Sequence, residues 1–257
     1  MAINIFWSLR ETRSMRLVSI ESALSGVVTL VFCSCLTAAA QGAVDLTGMW
    51  IVQDPGSGNW SEWFDNVPKP ALRPEIIKNN EAIAAREAAG AVVNRAERLA
   101  SCPFGNLPMM MASSPPLNIV QSKDEILIGA EANRGRFIYT DGRRHPDTRN
   151  AEYVPSGFGH SVGHWEGDTL VVESIGYRDD QWLDAAGSPL TNAAKVTERF
   201  HRLNFGHMQV QITVDDARSF THPWTVTVDL AAVLDTELLD SACWENEKDV
   251  EHLRNAK

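Results

Sequence analysis

The sequence predicts a mainly β protein, an antiparallel barrel of about ten strands with one helical insertion after its first strand. Three observations predict it. Apolar and polar residues alternate with period two through Met208–Val214 and Trp224–Leu230, the mark of a sheet with one face in water. Short turn signals separate a run of such segments, and loops of two to five residues between period-two runs are hairpins. Between the first segment and the rest lies an Ala- and Glu-rich stretch opened by Pro74, a residue suited to the first turn of a helix.

The chain has 257 residues, net charge −10, 44% hydrophobic and 22% charged residues. That composition fits one globular domain of barrel size. An acidic surface repels phosphates, so no nucleic-acid partner is expected.

Residues 1–40 read as a signal peptide. Arg16 gives a positive start, Leu24–Leu36 an apolar core, and Ala38-x-Ala40 a small-residue cleavage site, the three parts of a secretory leader. Either Met1 or Met15 serves as the start. The apolar run is shorter than the roughly 20 residues a span needs, so secretion to the periplasm without stable membrane insertion is expected, an uncleaved anchor being the alternative. Residues 41–257 then form a single barrel domain. It retains Cys102 and Cys243, which an oxidising compartment would join as a disulfide. Two buried free thiols or two metal ligands are the other readings, the second without the CxxC spacing that zinc sites show.

Leu46–Gln53 reads as the first strand, 54–73 as irregular, 74–100 as the helical insertion with a break at Gly90, and 101–116 as loop. Strands follow at 117–121, 125–131, 135–141, 159–165, 168–177, 195–203, 207–214, 223–233 and 237–244. Turns are expected at Ser122–Asp124, Asn133–Gly135, Glu166–Asp168 and Asn204–Gly206.

Two motifs carry a resemblance. Gly48-Met49-Trp50 in the first strand is similar to the G-x-W of lipocalins, whose Trp closes the barrel floor, and implies a lipocalin-like (calycin-type) barrel. Gly159-His-Ser-Val-Gly-His-Trp-Glu-Gly-Asp-Thr-Leu-Val-Val172, with Thr197–Phe200, Val214–Asp216 and Pro223–Thr225, resembles a family of uncharacterised secreted bacterial proteins. That family implies no activity, so chemistry has to come from the residues.

Gly159-His160-Ser161-Val162-Gly163 matches G-x-S-x-G, but a nucleophile elbow needs a strand–turn–helix and none follows. The glycines are expected to let a strand bend or another backbone approach. His160 and His164 share a strand face about 13 Å apart, too far for one zinc. No HxH or HExxH is present, and no metal is assigned. Neither Rossmann glycines, a P-loop nor a haem CxxCH occurs, so no redox cofactor is indicated.

Glu198 shares strand parity with Val196 and Phe200 and is expected inside, with Arg199 facing out. A carboxylate among apolar neighbours is either a general acid–base with a raised pKa or the partner of a buried cation. Tyr139, Asp141 and His145 are expected to cluster at a barrel rim. His145 with His160 is the pair suited to proton transfer near neutrality, with Tyr139 or Arg199 receiving developing negative charge. Trp165, Trp182, Trp224 and Met110 are candidates for lining a pocket for a small apolar or aromatic molecule, or for filling the core. The expected function is handling of such a molecule in the lumen, as a cofactor-independent lyase or isomerase; the alternatives are a periplasmic carrier without catalysis, favoured by an all-apolar lumen, and a structural or envelope-associated protein, favoured by a solidly packed one.

Overall fold

The computed structural model describes residues 43–53, 67–89, 107, 109–112, 116–130, 133–179, 181–183 and 187–239. The expected signal peptide and the Cys102–Cys243 pair lie outside the described residues. Nine strands close a barrel: β1 (Gly48–Val52), β2 (Leu117–Gln121), β3 (Glu125–Ala130), β4 (Asn133–Tyr139), β5 (His160–Glu166), β6 (Thr169–Ile175), β9 (Lys195–Arg202), β10 (His207–Asp215) and β11 (Trp224–Val233). The order around the wall is β1-β11-β10-β9-β6-β5-β4-β3-β2, closed by β2 on β1. A separate two-stranded ribbon joins β7 (Gln181–Trp182) to β8 (Pro189–Leu190), neither of which shows a strand pattern in sequence. Helix α1 spans Pro74–Ala88; the remainder of the expected 74–100 insertion lies outside the described residues. Among the described residues no helix is long and apolar enough to cross a membrane.

Alternation sets the wall. On β10, Met208, Val210, Ile212 and Val214 point inward and are buried, as are Trp224, Val226, Val228 and Leu230 on β11. The interior is filled rather than hollow along these positions: Trp50, Leu170, Val172, Val196, Phe200, Val210 and Ile212 have no exposure to water. A lumen-sized pocket would leave such walls accessible.

Trp50 of the first strand is anchored in the core. The Trp50 indole is buried and donates from Nε1 to the Leu46 carbonyl at 3.0 Å. The Arg202 guanidinium lies 5.1 Å from its ring, a cation–π contact. Arg202 also donates to the carbonyls of Asp45, Asn204 and Phe205, which ties the chain before β1 to the β9–β10 hairpin.

Three expectations are corrected. The wall is not wholly antiparallel: β4 and β5 run parallel, paired at Ile138↔Ser161 and Tyr139↔Val162. The turn expected at Asn133–Gly135 is instead the start of β4, because the ladder to β3 reaches Asn133 opposite Ala130. Glu237–Leu239, expected to open a last strand, is not in a strand.

Candidate functional site

A parallel pair cannot be joined by a tight turn, so β4 and β5 are linked by a crossover over residues 140–159. This segment is fastened to the end of β6. Tyr153 donates its hydroxyl to the Gly176 carbonyl at 3.1 Å, and Ser156 and Tyr177 form a parallel bridge. Gly159 adopts φ +66°, where a Cβ would lie 2.5 Å from the Ile175 carbonyl oxygen. At Gly163 a Cβ would lie 3.0 Å from Ile138 across the seam. Gly159 thus serves close backbone approach, whereas Gly163 leaves room for the side chains of Ile138, Leu170 and Thr140. Ser161 between them points inward, buried, its Oγ 2.7 Å from Ser174 Oγ. It sits within a strand and not at an elbow.

The parity of β5 places His160 on the outer face, half-buried at the seam beneath the crossover. His145, carried by the crossover, meets it there with Nδ1 to Nδ1 at 3.1 Å. The ring centroids are 5.3 Å apart at 71°. The difference between these distances is close to two ring radii, so the nitrogens lie nearly on the line between the rings, the geometry of a straight hydrogen bond. The Tyr139 ring stacks on His160 at 5.4 Å, and the Arg143 guanidinium covers Tyr139 at 3.8 Å while paired to Asp141. The sequence-predicted group Tyr139, Asp141, His145 and His160 is therefore assembled, on the outside of the wall.

Burial pushes both imidazoles below the usual His range. For His145, Glu173 opposes this and Lys195 adds to it; for His160, His145 and Arg143 add to it. Both rings are then neutral at pH 7, and one Nδ1–H donates to the other Nδ1. His145 Nε2 is buried without a partner. An orphaned N–H is rarer in proteins than an under-satisfied acceptor, so the resting form has His145 donating through Nδ1–H, with His160 carrying its proton on Nε2. His160 is half-buried, and Nε2, the ring nitrogen that His145 does not engage, is the one left for a substrate.

The depressed pKa values fix a sign. The unfolded chain binds these protons more readily, so the contribution of the pair is complete above the ordinary value of 6.5 and is lost as pH falls through the folded values. Thermal melts from pH 8 to pH 5 are expected to show a falling Tm. A variant with His145→Gln and His160→Gln should show a flatter slope over the same window; an unchanged slope would contradict a neutral buried pair.

The other candidates are not at this site. Glu198 is inside the barrel as parity predicted, fully buried, with Oε2 2.8 Å from Arg136 Nη2; the wall separates it from His160. Burial pushes its carboxyl up and Arg136 beside it pulls it back. Arg199 lies outside and pairs with Glu166 at 2.8 Å, at the far end of β5 from His160. Trp165 packs against the core, and Trp224 is buried with Nε1 donating to the Pro68 carbonyl at 2.6 Å. Met110 is buried in the core and Trp182 is half-buried in the β7–β8 ribbon. None of the four lines the histidine pair, and the core-filling reading describes Trp165, Trp224 and Met110. Sequence reasoning missed Arg143 as a member of the cluster and Arg136 as the internal cation. Arg136 shares strand parity with the apolar Ile138, and both are buried.

Among the described residues no group of three His, Cys, Asp or Glu side chains is gathered in a way that could hold a metal ion. No family model matches this chain, and no curated protein matches it.

Proposed function

We propose that the protein is a secreted, small-molecule-handling barrel whose working site is the His145–His160 pair on the outer wall, acting as a cofactor-independent acid–base catalyst of the lyase or isomerase type. The observation that carries the reading is the 3.1 Å contact between two half-buried imidazoles. A base must be neutral to accept a proton, and desolvation keeps these rings neutral near pH 7. Exchange of the two rings' tautomers from the resting form, with His145 protonated on Nε2 and His160 donating from Nδ1 to His145 Nδ1, leaves His160 Nε2 free to take a carbon-bound proton from a substrate. The imidazolium so formed is held by Nδ1–H donation to His145, and the same proton returns to another atom of the product. His145 thus orients the base as a carboxylate does in a hydrolase triad. The Tyr139 ring, stacked on His160 and covered by Arg143, holds the base in place rather than offering a face to the substrate. The filled interior argues against a carrier that uses the lumen and is what a purely structural barrel would have, so the catalytic reading stands on the outer histidine pair alone.

A nitrobenzisoxazole, whose ring opens on loss of one carbon-bound proton, tests the base without knowledge of the natural substrate. The wild-type protein is expected to accelerate the opening with a rate that rises with pH through the titration of His160. His160→Ala should lower it by about 100-fold or more with little change in Tm. Equal rates for wild type and His160→Ala, with both folded, would sink the reading.

A further inference from the structure

The outer wall beside the histidine pair carries two charged side chains that the proposed proton transfer leaves unused. His160 on β5 stands across from Ile175 on β6, and Glu173, two residues before Ile175, faces outward on the same strand. A diagonal neighbour of this kind lies about 7–8 Å away, within reach of a long side chain. From the next strand, β9, Lys195 holds Glu173 as an ion pair, with side-chain exposures of 48% and 39%. Directly across from Lys195 on β10 is Asp215, which is exposed.

The histidine pair has a defect that these residues answer. Its active tautomer puts a proton on His145 Nε2, and that atom is buried without a partner. A buried N–H with no acceptor is costly, so the working tautomer is the one the resting structure disfavours. Around the pair, Tyr139 stacks on His160, Tyr153 donates to Gly176, Asp141 and Arg143 hold each other, and Arg144 is exposed. Glu173 is the carboxylate whose charge reaches His145: it opposes the effect of burial on that ring, and Lys195 reinforces that effect. An ion pair half in water exchanges partners at little cost, and Asp215 offers the Lys195 ammonium a second carboxylate.

We infer that Glu173 is the positioning residue of the site: its carboxylate leaves Lys195 to accept the Nε2–H of His145 in the active tautomer, and Lys195 passes to Asp215. The inference rests on the histidine pair being the working base. Glu173 makes no bond to the substrate and stays ionised throughout. It orients His145 as His145 orients His160, and its charge stabilises the imidazolium that forms when His160 Nε2 takes the carbon-bound proton. Lys195 opposes catalysis, because it competes for the same carboxylate.

Glu173→Gln and Lys195→Gln break the same ion pair, yet they are expected to act in opposite directions. Both side chains are part-exposed, so the Tm of each variant should stay close to that of the wild type. The rate of nitrobenzisoxazole opening is followed against pH. Glu173→Gln should lower the plateau about tenfold, well short of the loss at a fully buried triad carboxylate. Its midpoint should move to lower pH, since a carboxylate favours the charged ring. Lys195→Gln should raise the plateau about twofold and move the midpoint to higher pH, and the double variant should keep the low plateau of Glu173→Gln. The ring-nitrogen NMR signals of His145, read without substrate, should show more of the Nε2–H tautomer in Lys195→Gln than in the wild type and less in Glu173→Gln. Equal loss of rate in the two single variants, or a His145 tautomer balance that neither variant moves, would overturn the inference. A wild-type protein that leaves the nitrobenzisoxazole closed while the tautomers respond would overturn the catalytic reading and not the hold of Glu173 on His145.

Discussion

Glu198→Ala is expected to lower the stability of the barrel by about 3–5 kcal/mol, because it strands the Arg136 guanidinium in a dry interior. The side-chain exposures of 1% and 0% are what make the effect large. At the surface the same removal would cost about 1 kcal/mol or less, as expected for Arg199→Ala, whose partner Glu166 is half in water. The paired replacement Arg136→Met with Glu198→Leu should behave in the opposite way, leaving stability unchanged or raised by about 1–4 kcal/mol. Urea unfolding of the three proteins tests both statements together. A cost below about 1 kcal/mol for Glu198→Ala would mean that the pair is not desolvated, and a double variant as unstable as the single one would mean that the ion pair organises the core.

The antiparallel parts of the wall were legible because their pairing is local. Met208–Val214 and Trp224–Leu230 each alternate cleanly, and the turn at Asn204–Gly206 brings β9 against β10 with nothing between them. Glu198 was placed inside by the same periodicity. The parallel seam was not legible, since alternation tells which face a residue takes but not which strand stands beside it. Nothing in residues 140–159 marks a crossover of this kind. β5 also misleads: Val162 is the apolar residue of His-Ser-Val-Gly-His and suggests an inward face, yet Ser161 is the buried one. Ser161 tolerates that position because Ser174 across the strand pair satisfies its hydroxyl. One residue of parity then decides whether His160 faces a lumen or the outer surface. The pairing of His145 with His160 was foreseen from their chemistry and from the crowding of loops at a rim, while its location outside the wall followed only from the seam.

Gly159→Ala is expected to be the most damaging of the glycine substitutions around the G-x-S-x-G segment, at about 2–5 kcal/mol. Two independent costs add. At φ +66° a residue with a Cβ is strained by about 1–2 kcal/mol. The added methyl would also sit 2.5 Å from the Ile175 carbonyl oxygen, which belongs to the β6 backbone and cannot rotate away; overpacking of this kind costs about 1–3 kcal/mol. Gly167→Ala separates the two, because that turn has φ +64° with nothing within 4 Å of the new methyl, and it should lose only the first cost. Relief of the clash in Gly159→Ala requires β5 to move off β6 where His160 begins, so the 3.1 Å contact with His145 should be disturbed even in the folded fraction. The readouts are denaturant unfolding of both variants and the ring-proton signals of His145 and His160. If Gly159→Ala were no more costly than Gly167→Ala, and the histidine signals were unchanged, the close approach of the seam to β6 would be wrong, and with it the placement of the pair.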